Sequence, residues 1–166
     1  MKTIAFIGHR RIWNKNNIKN SIVKLLETLI NEDYSKVLIG CHGDFDNIAL
    51  SSCLNFNANN SANFEINIIL TSMSFLNKNK NSNSKADVYT DMGCKTIFYN
   101  LENVHYKNRI TISNKIMIQN CDLLICWVDK NKFKSGAKTA FNYALKQGKK
   151  VINIFDADAN INVTKQ

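Results

Sequence analysis

Short apolar runs with almost no polar interruption recur along this chain: IAFIG near the start, then KVLIG, FEINIIL and DLLICWV. They limit its fold more than any other feature. A strand that is apolar at nearly every position must be covered on both faces, which happens when helices pack on either side of a parallel sheet. The runs predict strands at Thr3–Ile7, Lys36–Gly40, Phe64–Leu70 and Asp122–Val128, joined by KTIFYN at Lys95–Asn100 and by KVINIF near the end.

The stretches between them supply the helices. From Asn17 to Ile30, the residues Ile18, Ile22, Leu25, Leu26, Leu29 and Ile30 recur at three- and four-residue steps and form one apolar stripe. After CHGDFD a second helix is expected with Asp44 as its N-cap, and Lys107–Gln119 gives another of weaker periodicity. GAKTAFNYALKQG puts Ala137, Ala140, Phe141, Ala144 and Leu145 on one face and ends at Gly148, a suitable C-cap. Strands alternating with helices require crossover connections, so the expected fold is a Rossmann-like three-layer α/β/α with a mostly parallel sheet. A single domain covers residues 1–155, with a mobile polar loop at 77–85 and a frayed tail at 156–166.

Charge narrows the partners. With 22 Lys and Arg against 13 Asp and Glu, the net charge is +9, which favours phosphates and other anions. The first residues run straight into a strand, with no apolar stretch of signal or membrane-span length, so a cytoplasmic protein without membrane contact is expected. The five cysteines show no CxxC pair and the three histidines no ligand spacing, so no metal site is expected and the thiols read as reduced and mostly buried. Neither GxGxxG nor GxxxxGK[ST] occurs, and no cofactor is implied.

In an open parallel sheet, ligands bind beyond the carboxyl ends of the strands, where helix N-termini point free N–H groups. GHRR, GCHGDFD and WVDKNKFKSGAKT all follow strands and fall on that rim, whereas Asp122 precedes its strand and falls on the opposite edge. There Gly8, Gly40, Gly43 and Gly136 are expected to let backbone approach a ligand, and the glycines flanking Cys41 and His42 to form an anion-binding turn. Arg10 and Lys134 supply positive charge, and Ser135, Gly136, Ala137 and Thr139 open the late helix toward a phosphate.

Several of these residues have two readings. His9 either bonds backbone at the strand end or contacts ligand, and His42 either shapes the turn or contacts ligand. Arg10 faces the ligand in preference to Arg11, because neighbours along a strand point to opposite sides. Asp44 caps a helix or touches ligand; Asp46 is a first-turn helix charge or, with Asp44, a candidate catalytic carboxylate. Trp127 packs in the core or, like Phe45, forms a wall for a base. Cys41 beside His42 is a remote candidate for a thiol nucleophile.

IAFIGHRRI, LIGCHGDFDNIAL, NKIMIQNCDLLICWV and SGAKTAFNYALKQGKKVINI, taken in that order, resemble the SLOG superfamily and within it the small YspA/YpsA-like proteins of bacteria and phages. Its relatives include Lonely-guy-type phosphoribohydrolases and the Rossmann-like domain of DNA-processing protein A. The resemblance implies binding of nucleotides or nucleotide-derived ligands, and pairing as homodimers. Lonely-guy enzymes carry a GGxGTxxE run; SGAKTAFN keeps Gly136 and Thr139, places Ser135 and Lys138 at glycine positions, and has Asn142 where the glutamate stands. Ser113 occupies the position of their catalytic arginine. Asparagine cannot carry a proton as acid or base, so the phosphate-binding half of the motif survives and the catalytic half does not. Lys138 then implies a direct charged contact to the ligand.

The function expected is therefore binding of a nucleotide-derived small molecule at the rim, as sensor or sequestering protein. Cleavage or transfer at an N-glycosidic bond is the alternative. Nucleic acid ranks last as a partner, because the basic residues are spread along the chain instead of interleaved with aromatics on one element.

Overall fold

The computed structural model describes residues 1–61, 63–76, 84–132 and 134–156. Six strands, β1 (Lys2–Gly8), β2 (Tyr34–Ile39), β3 (Glu65–Leu70), β4 (Lys95–Phe98), β5 (Leu123–Trp127) and β6 (Lys150–Asn153), form one sheet in the order β4-β3-β2-β1-β5-β6. Every neighbouring pair is parallel, so the fold is a Rossmann-like α/β one. The helices are α1 (Lys15–Leu29), α2 (Asp44–Asn59), α3 (Lys85–Asp91), α4 (Tyr106–Gln119) and α5 (Gly136–Lys146).

Alternation along β1 explains the two layers. Ile4 and Phe6 join Ile18, Ile22 and Leu26 of α1 and Phe45, Ala49 and Cys53 of α2 in one core. Ala5 and Ile7 face the other way, onto Met117 and Ile118 of α4 and Ala137, Ala140 and Ala144 of α5. Each fully buried large aliphatic side chain contributes about 1.5–3 kcal/mol, so both helical layers are held by the same central strand. The alanine stripe of α5 lets that helix lie close to the sheet, which brings its N-terminus up to the ends of β1 and β5.

Three expectations change. Helix α3 was not anticipated; it starts at a capping box in which Ser84 Oγ accepts from Asp87 N–H and the Asp87 carboxylate accepts from Ser84 N–H. Asp44 does not cap α2, because Gly43 holds the N-cap position and Asp44 is the first helical residue. Leu145 is 53% exposed and off the buried face of α5, while Gly148 takes φ +66° just beyond the C-cap Gln147. Of the polar stretch 77–85 only Ser84 and Lys85 fall among the described residues, and the tail beyond 156 lies outside them.

β1 lies between β2 and β5. The chain leaves β1 for α1 on one face and leaves β5 for α5 on the other. That divergence opens a crevice at the carboxyl ends of β1 and β5, where doubly wound sheets bind ligands.

Candidate functional site

A cavity of about 290 Å³ occupies this crevice. Its walls come from Ile7, Gly8, His9 and Arg10 after β1; from Gly40, His42, Gly43 and Asp46 after β2; from Ile110, Ser113 and Asn114 of α4; and from Lys132, Lys134, Ser135, Gly136 and Ala137 before and on α5. Arg10, Gly43 and Gly136, from three separate segments, thus share one cavity.

The start of α5 is built to face it. Ser135 Oγ accepts from Lys138 N–H at 3.0 Å, and Ser135 O accepts from Thr139 N–H at 3.0 Å. This cap leaves the N–H groups of Gly136 and Ala137, in the first turn, without an acceptor inside the helix. Among the described residues, no atom lies within 4 Å of where a Cβ on Gly136 would stand. Lys132 and Lys134 flank the same opening. Lys138 and Thr139 do other work than expected: Lys138 Nζ donates to Lys130 O at 2.7 Å and Lys132 O at 3.2 Å, and Thr139 Oγ1 donates to Ser135 O at 3.1 Å. Neither lines the cavity; Lys138 staples the β5–α5 loop that carries Lys132.

The turn after β2 is different. Asp46 Oδ2 accepts from His42 N–H at 2.8 Å, and the same carboxylate accepts from Gly43 N–H. In the turn expected around Cys41 and His42 to hold an anion, the N–H groups of His42 and Gly43 meet the protein's own Asp46 carboxylate. Burial pushes this carboxyl up to about 6, against the pull of the two N–H donors and of Arg10. The glycines on this side of the cavity are also required by close packing. A Cβ on Gly40 would stand 2.9 Å from Asp46 Oδ2 and one on Gly43 2.7 Å from Arg10 Cα, and one on Gly8 would run into the ring of Phe45.

Phe45 is fully buried against Phe6 and beneath Gly8, so it offers no wall to a base. Trp127 is also buried, edge-on to His9, Trp13 and Phe155, and belongs to the core. His9 bonds backbone: its Nε2 accepts from Asp129 N–H at 3.0 Å, which fixes the proton on Nδ1 and ties the β5–α5 loop to β1. Burial, helped by Lys132 and opposed by Asp129, holds His9 below its ordinary value and favours its neutral form. His42 is likewise pushed down, by burial first and by Arg10 and Lys85 next, with its Nε2 hydrogen-bonded to Thr71 Oγ1 at 2.9 Å. Asp44 lies outside the cavity, where its carboxylate accepts from Ile12 N–H at 3.0 Å and pairs with Lys15 at 3.1 Å. The Cys41 thiol is pushed up to about 11 by burial, so it is no thiolate nucleophile at neutral pH.

Ile110, Asn114 and Lys132 line the cavity but were not singled out from the sequence. Their signal was present for α4, where Ile110, Ser113 and Asn114 stand at i, i+3 and i+4 and so share one helical face. Ser113, at the family's arginine position, is on the cavity wall, whereas Asn142 is exposed on α5 and does not line it.

No family model and no curated protein sequence matches the chain. In structure it is similar to DNA processing protein A from Helicobacter pylori, solved to show that protein's single-stranded DNA binding mode, with a TM-score of 0.59 and 20% identity over 90% of this chain. The match spans 63% of that protein's chain. This likeness supports the fold, and, because that protein is one that binds single-stranded DNA, it overturns the ranking of nucleic acid as the last partner. The reason given for the ranking fails physically as well. Basic residues scattered along the sequence are gathered by the fold, which brings Arg10, Lys132 and Lys134 to one rim. Among the described residues, no helix is long and apolar enough to cross a membrane.

Proposed function

We propose that the crevice between β1 and β5 binds the phosphate-bearing part of a nucleotide, free or within a single strand, in a protein of the SLOG type. The observation that carries this reading is the open start of α5: two first-turn N–H groups and a glycine with empty space before it, facing Arg10 with Lys132 and Lys134 beside them. Arg10 is exposed, and its guanidinium makes no ion pair among the described residues. A volume of about 290 Å³ lies at the small end of ligand pockets, which run from ~300 to 1,000 Å³, and suits one nucleotide better than a dinucleotide cofactor. The single-stranded DNA bound by the structurally similar protein has phosphates of the same kind.

Calorimetry with nucleoside monophosphates and with oligothymidylate tests the proposal. Binding is expected for both, and Arg10→Ala should weaken it by roughly 1.5–3 kcal/mol, the range for hydrogen bonds to charged groups. No heat from any of these ligands at millimolar concentration overturns the reading.

One observation favours a second reading, cleavage at an N-glycosidic bond. Asp46 lines the cavity and its carboxyl is raised to about 6, within the range useful to a general acid or base near neutral pH. Release of free base from a nucleoside monophosphate, abolished in Asp46→Asn, would establish it.

A further inference from the structure

A second, more open hollow of about 780 Å³ adjoins the cavity, and Arg10, His42 and Gly43 belong to the walls of both. The outer hollow is cationic in its own right. Arg11 and Lys85 line it, both exposed, and Lys85 is held with its ammonium 4.9 Å from the centroid of the Phe75 ring. Asp44, a carboxylate on its wall, is already engaged by Ile12 N–H and Lys15 and so opposes an incoming anion less than a free carboxylate does. Half-buried Tyr89 gives the hollow an aromatic surface. A ligand of one nucleotide fills the inner cavity and leaves this second set of cations unused.

Resting on the phosphate-binding reading above, we infer that the ligand has two nucleotide units joined through phosphate, one in each hollow, with the linkage against Arg10. A free dinucleotide and a stretch of single strand share this chemistry. The guanidinium of Arg10 at the boundary can donate to oxygens on both sides, which lysine's single ammonium does less well. The base in the outer unit has Tyr89 to pack on, and base–aromatic contact tolerates any base.

Titrations of the wild-type protein and of Arg11→Ala/Lys85→Ala with pT, pTpT and oligothymidylate test the inference. Wild-type protein should bind pTpT about tenfold or more tightly than pT, and the double variant should lower that preference about tenfold, with a shallower dependence on salt. Both substituted residues are exposed, so folding is retained, which thermal melting verifies. Equal affinity for pTpT and oligothymidylate supports the inference with a free dinucleotide as the source, and tighter oligothymidylate binding supports it with a strand. A pTpT that binds no tighter than pT, or a preference unchanged in the variant, overturns the inference while the single-nucleotide reading stands. Absence of binding by all three overturns both.

Discussion

The turn after β2 and the start of α5 both place glycine at a helix N-terminus, on the same rim and in the same cavity wall, but they differ in what meets their N–H groups. In the first, the carboxylate of Asp46 accepts from His42 and Gly43, and the spaces beside Gly40 and Gly43 are filled by Asp46 and by the backbone of Arg10. In the second, Ser135 takes the N–H of Lys138, the next N–H groups back have no acceptor inside the helix, and no described residue fills the space beside Gly136. A glycine turn at a helix start is thus not yet a ligand site. The two differ in whether the chain supplies its own anion: Asp46 does so in the first turn, while the first-turn N–H groups of α5 have no acceptor inside the helix.

Removing the internal anion should have the largest effect. Asp46→Ala leaves two N–H groups without their acceptor, at about 1–3 kcal/mol each, less whatever water recovers. Urea denaturation at pH 5, where the wild-type carboxyl is mostly neutral, should show that loss, and inorganic phosphate should restore part of it by taking the carboxylate's place. A variant as stable as the wild type would break the contrast between the turns, because the carboxylate would then not be what satisfies the first one.

The pH dependence sharpens the same contrast. Asp46 titrates at about 6 in the folded protein against an ordinary value of 3.8, so between those values the folded state holds the proton more firmly. Its contribution to stability is full below the lower value, declines as pH rises through the window, and is lost above about 6, a change of about 3 kcal/mol at 1.36 kcal/mol per unit. Asp33, Asp44 and Glu65 run oppositely: hydrogen bonds from the N-terminal ammonium, Ile12 N–H and Lys95 hold them below the usual carboxylate range, and their stabilisation is lost as pH falls through their folded values. Subtracting the profile of Asp46→Asn isolates the one group. The difference should favour the wild type increasingly from pH 7 to pH 5, and a flat difference would place Asp46 in a wetter setting than the turn provides.

The sheet was legible because β1, β2, β3 and β5 each contain a run of adjacent buried apolar residues, which a strand covered on both faces tolerates. The rim was legible because topology alone carries residues after strands to one edge, and Arg10, Gly43 and Gly136 meet there. What escaped depends on directions that one-dimensional spacing does not carry. Lys138 and Lys134 are both lysines, four residues apart, yet Lys138 turns back onto the carbonyls of Lys130 and Lys132 while Lys134 lines the cavity. Phe45 follows Asp44 in a polar turn, but helix α2 rotates it under Gly8 into the core. Helix α3 was missed although S-x-x-D at Ser84–Asp87 is a capping-box pattern, because the asparagine-rich stretch before it has no apolar spacing to suggest a helix.

The smallest effects test the glycines themselves. Gly43 has an extended backbone, φ −159°, so alanine there suffers no dihedral strain; its Cβ instead meets Arg10 Cα at 2.7 Å and Arg10 O at 3.3 Å. Backbone cannot swing aside as a side chain does, and overpacking of this kind costs about 1–3 kcal/mol. Gly136 has no positive φ and, among the described residues, nothing within 4 Å, so Gly136→Ala should change stability by less than about 1 kcal/mol, in the favourable direction, since alanine loses less chain entropy on entering a helix. Paired urea denaturation curves compare the two substitutions directly. Were Gly136→Ala to cost as much as Gly43→Ala, the space before α5 would be occupied in solution, and the turn would be as closed as its counterpart after β2.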